Sequence, residues 1–198
     1  MSLLFETIRI VDGVPMHMHW HRERMRKAEN ELRGAVVGRM ADIEIAVPPE
    51  FSKGLVRCNL HFDGETVKIS FSGYHKRMIR SLKMVYSNSI DYHLKYTDRS
   101  AIDSLMLLRE KSDDIIIVKN GLITDTSMSN LIFFDGRDWV TPANPLLKGT
   151  CRNRLLAEGS ITGREIAPGD LVNYLGCKLI NAMREPEEEE LIPVSEIS

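Results

Sequence analysis

The sequence predicts an α+β protein of two unequal domains, a smaller one over residues 1–80 and a larger, strand-rich one over 81–198. Three observations predict it. Apolar runs of strand length are joined by Asp-Gly at 12–13, 63–64 and 135–136, the turn chemistry of hairpins. Apolar residues at helical spacing occur only in short stretches. A polar, basic segment over residues 75–80 separates two groups of strands and places the boundary near 75–84.

In order, residues 3–11 read as a strand, Asp12-Gly13 as a tight turn, and residues 14–19 as the return strand. Residues 22–32 have helical spacing, with Met25, Ala28 and Leu32 on one face and Gly34 as the stop. Pro48-Pro49 marks a loop. Residues 55–62 and 66–71 form a second hairpin around Asp63-Gly64. Beyond the boundary, residues 82–86 are a short strand. Residues 100–111 are a helix with Ile102, Leu105, Met106 and Arg109 at helical spacing. Residues 115–119 are a buried strand ended by Asn120-Gly121. Residues 131–134 and 139–141 make a further hairpin, and Gly149 opens a short helix to residue 156. A helical turn at 171–174 and a strand at 178–182 follow. The acidic run at 187–190 reads as a solvated turn before Ile192-Pro193-Val194.

Composition bounds the function. The chain has 198 residues, of which 43% are hydrophobic, enough for one ordinary core or two small ones. With 26 basic and 28 acidic side chains the net charge is -2, and no basic stripe points to nucleic acid. Three widely spaced cysteines, Cys58, Cys151 and Cys177, read as reduced thiols of a cytoplasmic protein. The N-terminal residues resemble neither a signal peptide nor a membrane anchor. His17, His19 and His21 alternate and would share a strand face. No Cys, Asp or Glu cluster accompanies them, so no metal is expected. The ten methionines read as core filler.

Chemistry concentrates at Lys95 and Asp125. Lys95 lies in a mostly apolar and aromatic stretch, Ile90-Asp91-Tyr92-His93-Leu94-Lys95-Tyr96-Thr97. Asp125 lies in a hydroxyl-rich turn, Thr124-Asp125-Thr126-Ser127-Met128-Ser129-Asn130. A desolvated amine can hold an aldehyde as a Schiff base, and a carboxylate can keep a pyridine nitrogen protonated. Together these are the requirements of pyridoxal 5'-phosphate. On their own, an exposed Lys and a turn Asp are also the ordinary state of both residue types. A phosphate needs an Arg and free backbone N–H groups. Arg24, on the first helix, and the helix start at Gly149-Thr150-Cys151 offer them, and Asn181-Ala182 at a strand end offers one more contact.

These pieces, in this order, resemble the fold-type IV pyridoxal-phosphate enzymes, the class IV aminotransferase family, over nearly the whole chain. Phe5-Glu6-Thr7-Ile8-Arg9 is similar to the family's Phe-Glu-Thr/Gly-hydrophobic-Arg strand. His21-Arg22-Glu23-Arg24-Met25 is similar to its His-x-x-Arg-Leu segment. Gly121-x-x-Thr124-Asp125-x-x-x-x-Asn130-Leu131 and Thr141-Pro142 with Leu147-x-Gly149-x-x-Arg152 match two further segments. The resemblance implies a D-amino-acid-aminotransferase-like architecture with a shortened N-terminal domain and a homodimer. It gives Lys95 the Schiff base and Arg24 the phosphate. Asp125, Ser129, Asn130, Gly149, Thr150, Cys151, Asn181 and Ala182 are expected at the cofactor, and Arg57, Arg9 and Thr7 at a substrate carboxylate.

The chain also departs from the pattern. Asp125 replaces the usual Glu and is one methylene shorter. Ile132 stands for Phe, Thr150-Cys151 for Ile-Thr, and the stretch that usually precedes the Phe-Glu strand is lacking. Asn181-Ala182-Met183-Arg184 and Lys95-Tyr96-Thr97-Asp98-Arg99 are similar to segments of aminodeoxychorismate lyase. The implied reaction therefore yields 4-aminobenzoate and pyruvate in folate synthesis, with Lys95 moving the proton on the amine-bearing carbon. The alternatives are an aminotransferase acting on branched-chain or D-amino acids, and a non-catalytic relative.

Overall fold

The computed structural model describes residues 3–33, 40–62 and 66–198. The expected stop at Gly34 and the turn at Asp63-Gly64 lie outside the described residues. The chain divides into two units. One comprises the chain up to Lys76 together with Leu94–Thr97; the other comprises Arg77–His93 and Asp98–Ser198.

The first unit is a four-stranded sheet backed by a helix. Strand β1 is Leu4–Val11, β2 is Val14–Pro15, helix α1 is Met18–Arg33, β3 is Leu55–Phe62 and β4 is Val67–Gly73, in sheet order β2-β1-β3-β4. Alternation sets the inward face: Leu4, Glu6, Ile8 and Ile10 of β1 are buried, as are Val56, Cys58, Leu60 and Phe62 of β3. Met25 of α1 packs on Ile8, Ile10 and β3. Asp12 and Gly13 both take positive φ, 47° and 79°, as a tight hairpin turn requires.

Two expectations fail here. The return strand does not run to residue 19. Pro15 removes a ladder donor, His17 turns at φ 55°, and α1 begins at Met18. His19 and His21 are therefore helical, which dissolves the shared strand face of histidines. Leu32 is 41% exposed, and the buried helical stripe uses Glu29 instead, whose Oε1 accepts the Met40 N–H at 2.9 Å.

The second unit carries a larger mixed sheet. Its elements are β5 (Leu82–Tyr86), α2 (Ser100–Met106), β6 (Asp114–Lys119), β7 (Leu122–Thr126), β8 (Asn130–Phe134), β9 (Trp139–Pro142), α3 (Thr150–Ala157), β10 (Thr162–Arg164), β11 (Gly176–Ile180) and β12 (Ile192–Pro193). The order runs β10-β9-β8-β7-β6-β5, with β11 paired to β8 and β12. The β5–β6 and β9–β10 pairs are parallel; the others are antiparallel. Strand β8 is buried on both faces: Leu131 and Phe133 join the main core, while Ile132 packs with Cys151, Leu155 and Ile180 at α3. That is why it reads as an unbroken apolar run.

The hydroxyl-rich segment is not simply a turn. Asp125 lies on β7, and only the residues between Thr126 and Asn130 turn. The β6–β7 register slips by one, from Ile116 opposite Thr126 to Val118 opposite Ile123, so Thr124 and Asp125 both stand against Ile117. Such a bulge redirects side chains. The acidic run also departs from expectation. Glu189 is 8% exposed at its side chain and takes the Arg184 Nη1 donor at 2.6 Å. No described helix is long and apolar enough to cross a membrane.

Candidate active site

In the first unit, a polar cluster is built where a charge occupies an inward strand position. Glu6 alternates with Leu4 and Ile8 and is 1% exposed. Its Oε1 accepts from Arg24 Nε at 3.1 Å and from His21 Nδ1 at 3.1 Å, and its Oε2 accepts from Arg24 Nη2. Burial opposes the Glu6 charge, but Arg24 and His21 together outweigh it and hold the carboxyl down at about 2. Burial pushes His21 below its ordinary value. The neutral ring therefore donates Nδ1–H to Glu6.

This arrangement has an acid-stability signature. The Glu6 pKa is depressed, so its contribution is present above about 4.5 and lost as pH falls towards 2. The drop from 4.5 to about 2 corresponds to about 3 kcal/mol. Glu6→Gln is expected to remove that acid-dependent loss. Denaturant midpoints measured between pH 5 and pH 2 would show it, and a wild-type acid limb persisting in the variant would contradict it.

Lys95 belongs to the same unit. Its carbonyl accepts the Phe5 N–H at 2.9 Å, and Leu4 bridges Tyr96, so the lysine backbone is tied to the start of β1. Its Nζ sits 4.3 Å over the Phe5 ring, which stacks on His61. On the outward face of the sheet, Arg9 of β1 is in register with Arg57 of β3, and Thr7 with Asn59. Thr7 Oγ1 donates to Asn59 Oδ1 at 3.2 Å. Arg57 Nη2 donates to Ser72 Oγ at 3.3 Å, while the buried Arg57 Nε has no partner.

In the second unit, Asp125 is held in a closed ring of hydrogen bonds. Its Oδ2 accepts the Leu147 N–H and its Oδ1 accepts Asn130 Nδ2, both at 2.8 Å; the same Asn130 amide donates to the Leu147 carbonyl. Asp125 and Asn130 face each other as the β7–β8 pair. Burial drives the Asp125 carboxyl up to about 7 against the pull of the Leu147 N–H, Asn130 and the buried Arg152. Arg152 donates Nε to Thr141 Oγ1 at 3.2 Å and Nη2 to the Pro142 carbonyl at 2.8 Å.

Gly149 precedes α3, where a Cβ would lie 2.0 Å from Asn130 Oδ1. The glycine thus makes room for the asparagine that clamps Asp125. Gly149→Ala is expected to destabilise by about 1–3 kcal/mol through overpacking, read as a lowered denaturant midpoint; an unchanged midpoint would mean that Asn130 swings aside freely.

Thr150 and Cys151 open α3, and the Cys151 thiol is pushed up to about 12, chiefly by burial. It is therefore an inert thiol at neutral pH. Asn181 Nδ2 donates to Ser129 Oγ at 2.9 Å, and the Asn181 N–H donates to the Arg184 carbonyl at 3.2 Å. That leaves the Ala182 N–H as the donor of that dipeptide without a described partner. Sequence reasoning gave no role to Glu6, His21 or Arg152. A charge among inward apolar residues of β1 was the available signal for Glu6. No cluster of metal-ligating side chains occurs among the described residues.

Taken unit by unit, the donors are of the types pyridoxal phosphate takes: in the first, an amine over an aromatic ring and a guanidinium with one edge unspent; in the second, a buried acid held by two fixed donors and a helix start. Residues 93–197 match the model of the family described as amino-transferase class IV. An uncharacterised protein of Haemophilus influenzae is 38% identical over 182 residues, 91% of this chain and 97% of that protein. A protein of Haemophilus somnus 129PT, provisionally named 4-amino-4-deoxychorismate lyase, superposes with a TM-score of 0.81 at 32% identity, covering 93% of this chain and 97% of that one. The branched-chain amino acid aminotransferase of Escherichia coli shares the fold, with a TM-score of 0.70 at 17% identity over 99% of this chain and 76% of that one. The two-sheet α+β architecture is thus that of the fold-type IV aminotransferases, and the chain belongs to the amino-transferase class IV family.

Proposed function

We propose that the protein is a pyridoxal-phosphate-dependent lyase that converts 4-amino-4-deoxychorismate to 4-aminobenzoate and pyruvate, a step of folate synthesis. The observation that carries this reading is the likeness, over nearly both chains, to the Haemophilus somnus protein provisionally named for that activity. The Asn181-Ala182-Met183-Arg184 segment supports it. Bound pyridoxal phosphate supplies an electron sink for the bonds around the substrate's amine-bearing carbon.

The chain's own residues then divide the work. Lys95 Nζ would be the amine that holds the cofactor's aldehyde, and as the free amine it would take and return the proton on the substrate's amine-bearing carbon. Its seat over Phe5 gives it a partly desolvated surrounding. Asp125 would keep the cofactor's ring nitrogen protonated, and its hydrogen-bonded ring keeps the carboxyl group fixed without reorganisation. In the first unit Arg24 is the guanidinium for the phosphate; in the second, the N–H groups opening α3 are donors suited to an anion. The Ala182 N–H adds to them, while Asn130, Ser129 and Asn181 form the framework around Asp125 and the β7–β8 turn. Arg57, Arg9 and Thr7 orient a substrate carboxylate. By the family resemblance the protein acts as a homodimer, and its three widely spaced cysteines suit a reducing cytoplasm.

Product analysis tests the reaction. The loaded protein, given 4-amino-4-deoxychorismate, is expected to release pyruvate and 4-aminobenzoate in equal amounts. Amino-group exchange with a keto acid and no pyruvate would make it an aminotransferase instead.

A further inference from the structure

Glu6 has no part in the chemistry above, yet it is the most completely enclosed carboxylate of its unit that holds two basic side chains. It accepts from Arg24 Nε, Arg24 Nη2 and His21 Nδ1, and these bonds span β1 and α1. We infer that Glu6 is a positioning residue for the phosphate contact: it grips the Nε/Nη2 edge of the Arg24 guanidinium so that the other edge, Nη1 with the second N–H of Nη2, is presented to the phosphate of the cofactor. The inference rests on the assignment of Arg24 to that phosphate.

First, a guanidinium has a fork on each side, and the fork of Nε and Nη2 is spent on Glu6 in the bidentate geometry that fixes its plane. Three N–H donors, two on Nη1 and one on Nη2, keep no described partner. Second, Arg24 would otherwise sample many rotamers at a helix surface. Anchoring it to a buried strand carboxylate lowers the ordering entropy to be lost when an anion binds. Third, His21 fills the remaining lone-pair direction of Glu6 Oε1 with a neutral donor, so the carboxylate is held from α1 at two points one turn apart. Lys95 adds positive charge near His21, consistent with its contribution to keeping that ring neutral.

The opposite possibility is concrete. If Glu6 competes with phosphate for Arg24, removing its charge strengthens phosphate binding. The test compares affinity for pyridoxal phosphate with affinity for pyridoxal, which lacks the phosphate, in the wild-type chain and in Arg24→Ala, Glu6→Gln and Glu6→Asp. The ratio of the two affinities isolates the phosphate contribution; a general loss of structure lowers both affinities and leaves the ratio. The ratio is expected to fall about tenfold or more in Arg24→Ala and in Glu6→Gln, with partial recovery in Glu6→Asp. A fall in Arg24→Ala with an unchanged or larger ratio in Glu6→Gln would overturn the role of Glu6 and leave Arg24 at the phosphate. An unchanged ratio in Arg24→Ala would overturn the phosphate assignment itself, and the inference with it.

Should Glu6→Gln fail to fold, guanidinium proton–nitrogen spectra of the wild type decide. The Arg24 Nε–H signal is expected to stay in place on adding pyridoxal phosphate while the Nη1 signals shift. Displacement of the Nε–H signal would mean that Arg24 leaves Glu6 for the ligand, which contradicts the inference.

Discussion

Lys95→Ala is expected to lower turnover by a factor of about 10²–10⁴ or more, the range of a positioned proton-transfer group, with the fold intact. The fold should survive because the variant keeps the main-chain ties of residue 95: its carbonyl still accepts the Phe5 N–H, and Leu4 still bridges Tyr96. The seat of the side chain over Phe5 is a cation–π contact worth about 0.5–1 kcal/mol. Thermal unfolding should therefore shift little, while the near-visible band of retained pyridoxal phosphate disappears. Added small primary amines are expected to restore part of the turnover, since they replace the missing base without its positioning. A retained band and undiminished turnover would remove Lys95 from the chemistry.

Asp125→Asn carries the second-largest expected effect, and it separates charge from shape. Both Asp125 oxygens accept, one from the Leu147 N–H and one from Asn130 Nδ2. An amide in the same place turns an NH₂ towards one of those donors and loses that bond, at about 1–3 kcal/mol. The pH dependence is sharper. Burial raises the folded pKa from 3.8 to about 7, so the folded state binds the proton more tightly than the unfolded chain. The stability this gives is present below about 4 and is lost as pH rises towards 7, with an amplitude on the order of 3–4 kcal/mol. The variant has no group to titrate at this position, so the stability difference between the two proteins should change by that amount across the window. Catalysis should fall as well, since an amide cannot balance a protonated ring nitrogen. Denaturant midpoints at pH 4 and pH 8 read the first effect, and single-turnover rates the second. Parallel pH curves for the two proteins would show that the Asp125 proton is not the source of the dependence.

Much of the fold was legible because local chemistry and tertiary structure agree. The Asp12-Gly13 and Asn120-Gly121 pairs turn with positive φ, and β1 alternates as its sequence does. Strand β7 was missed because its polar residues are interior. Thr124 turns its hydroxyl to the Ile117 carbonyl at 2.8 Å, and Asp125 is paired across the bulge, so hydroxyl-rich residues that suggest a turn sit in a sheet. Strand β10, Thr162–Arg164, is exposed throughout and carries no apolar signal. The acidic run misled because Arg184 lies within five residues of Glu189 and takes it out of water.

The site was legible as residue types and order rather than as geometry. The motifs point to Lys95, Arg24 and Asp125 but not to what holds them. Asn130 and Gly149 were read as cofactor contacts. In the structure their closest relation is to each other, since the asparagine amide occupies the space a Cβ at 149 would need. Glu6 was read as part of a strand motif, and its grip on Arg24 depends on α1 crossing β1, which spacing alone does not reveal.

Pyridoxal phosphate anchored at Lys95 is the premise of the whole account, and one measurement reaches it directly. The loaded protein is reduced with borohydride, digested, and its peptides are mapped by mass spectrometry. A pyridoxyl group on Lys95, and on no other lysine in comparable yield, is the predicted result. A modified lysine elsewhere, or none, would contradict it.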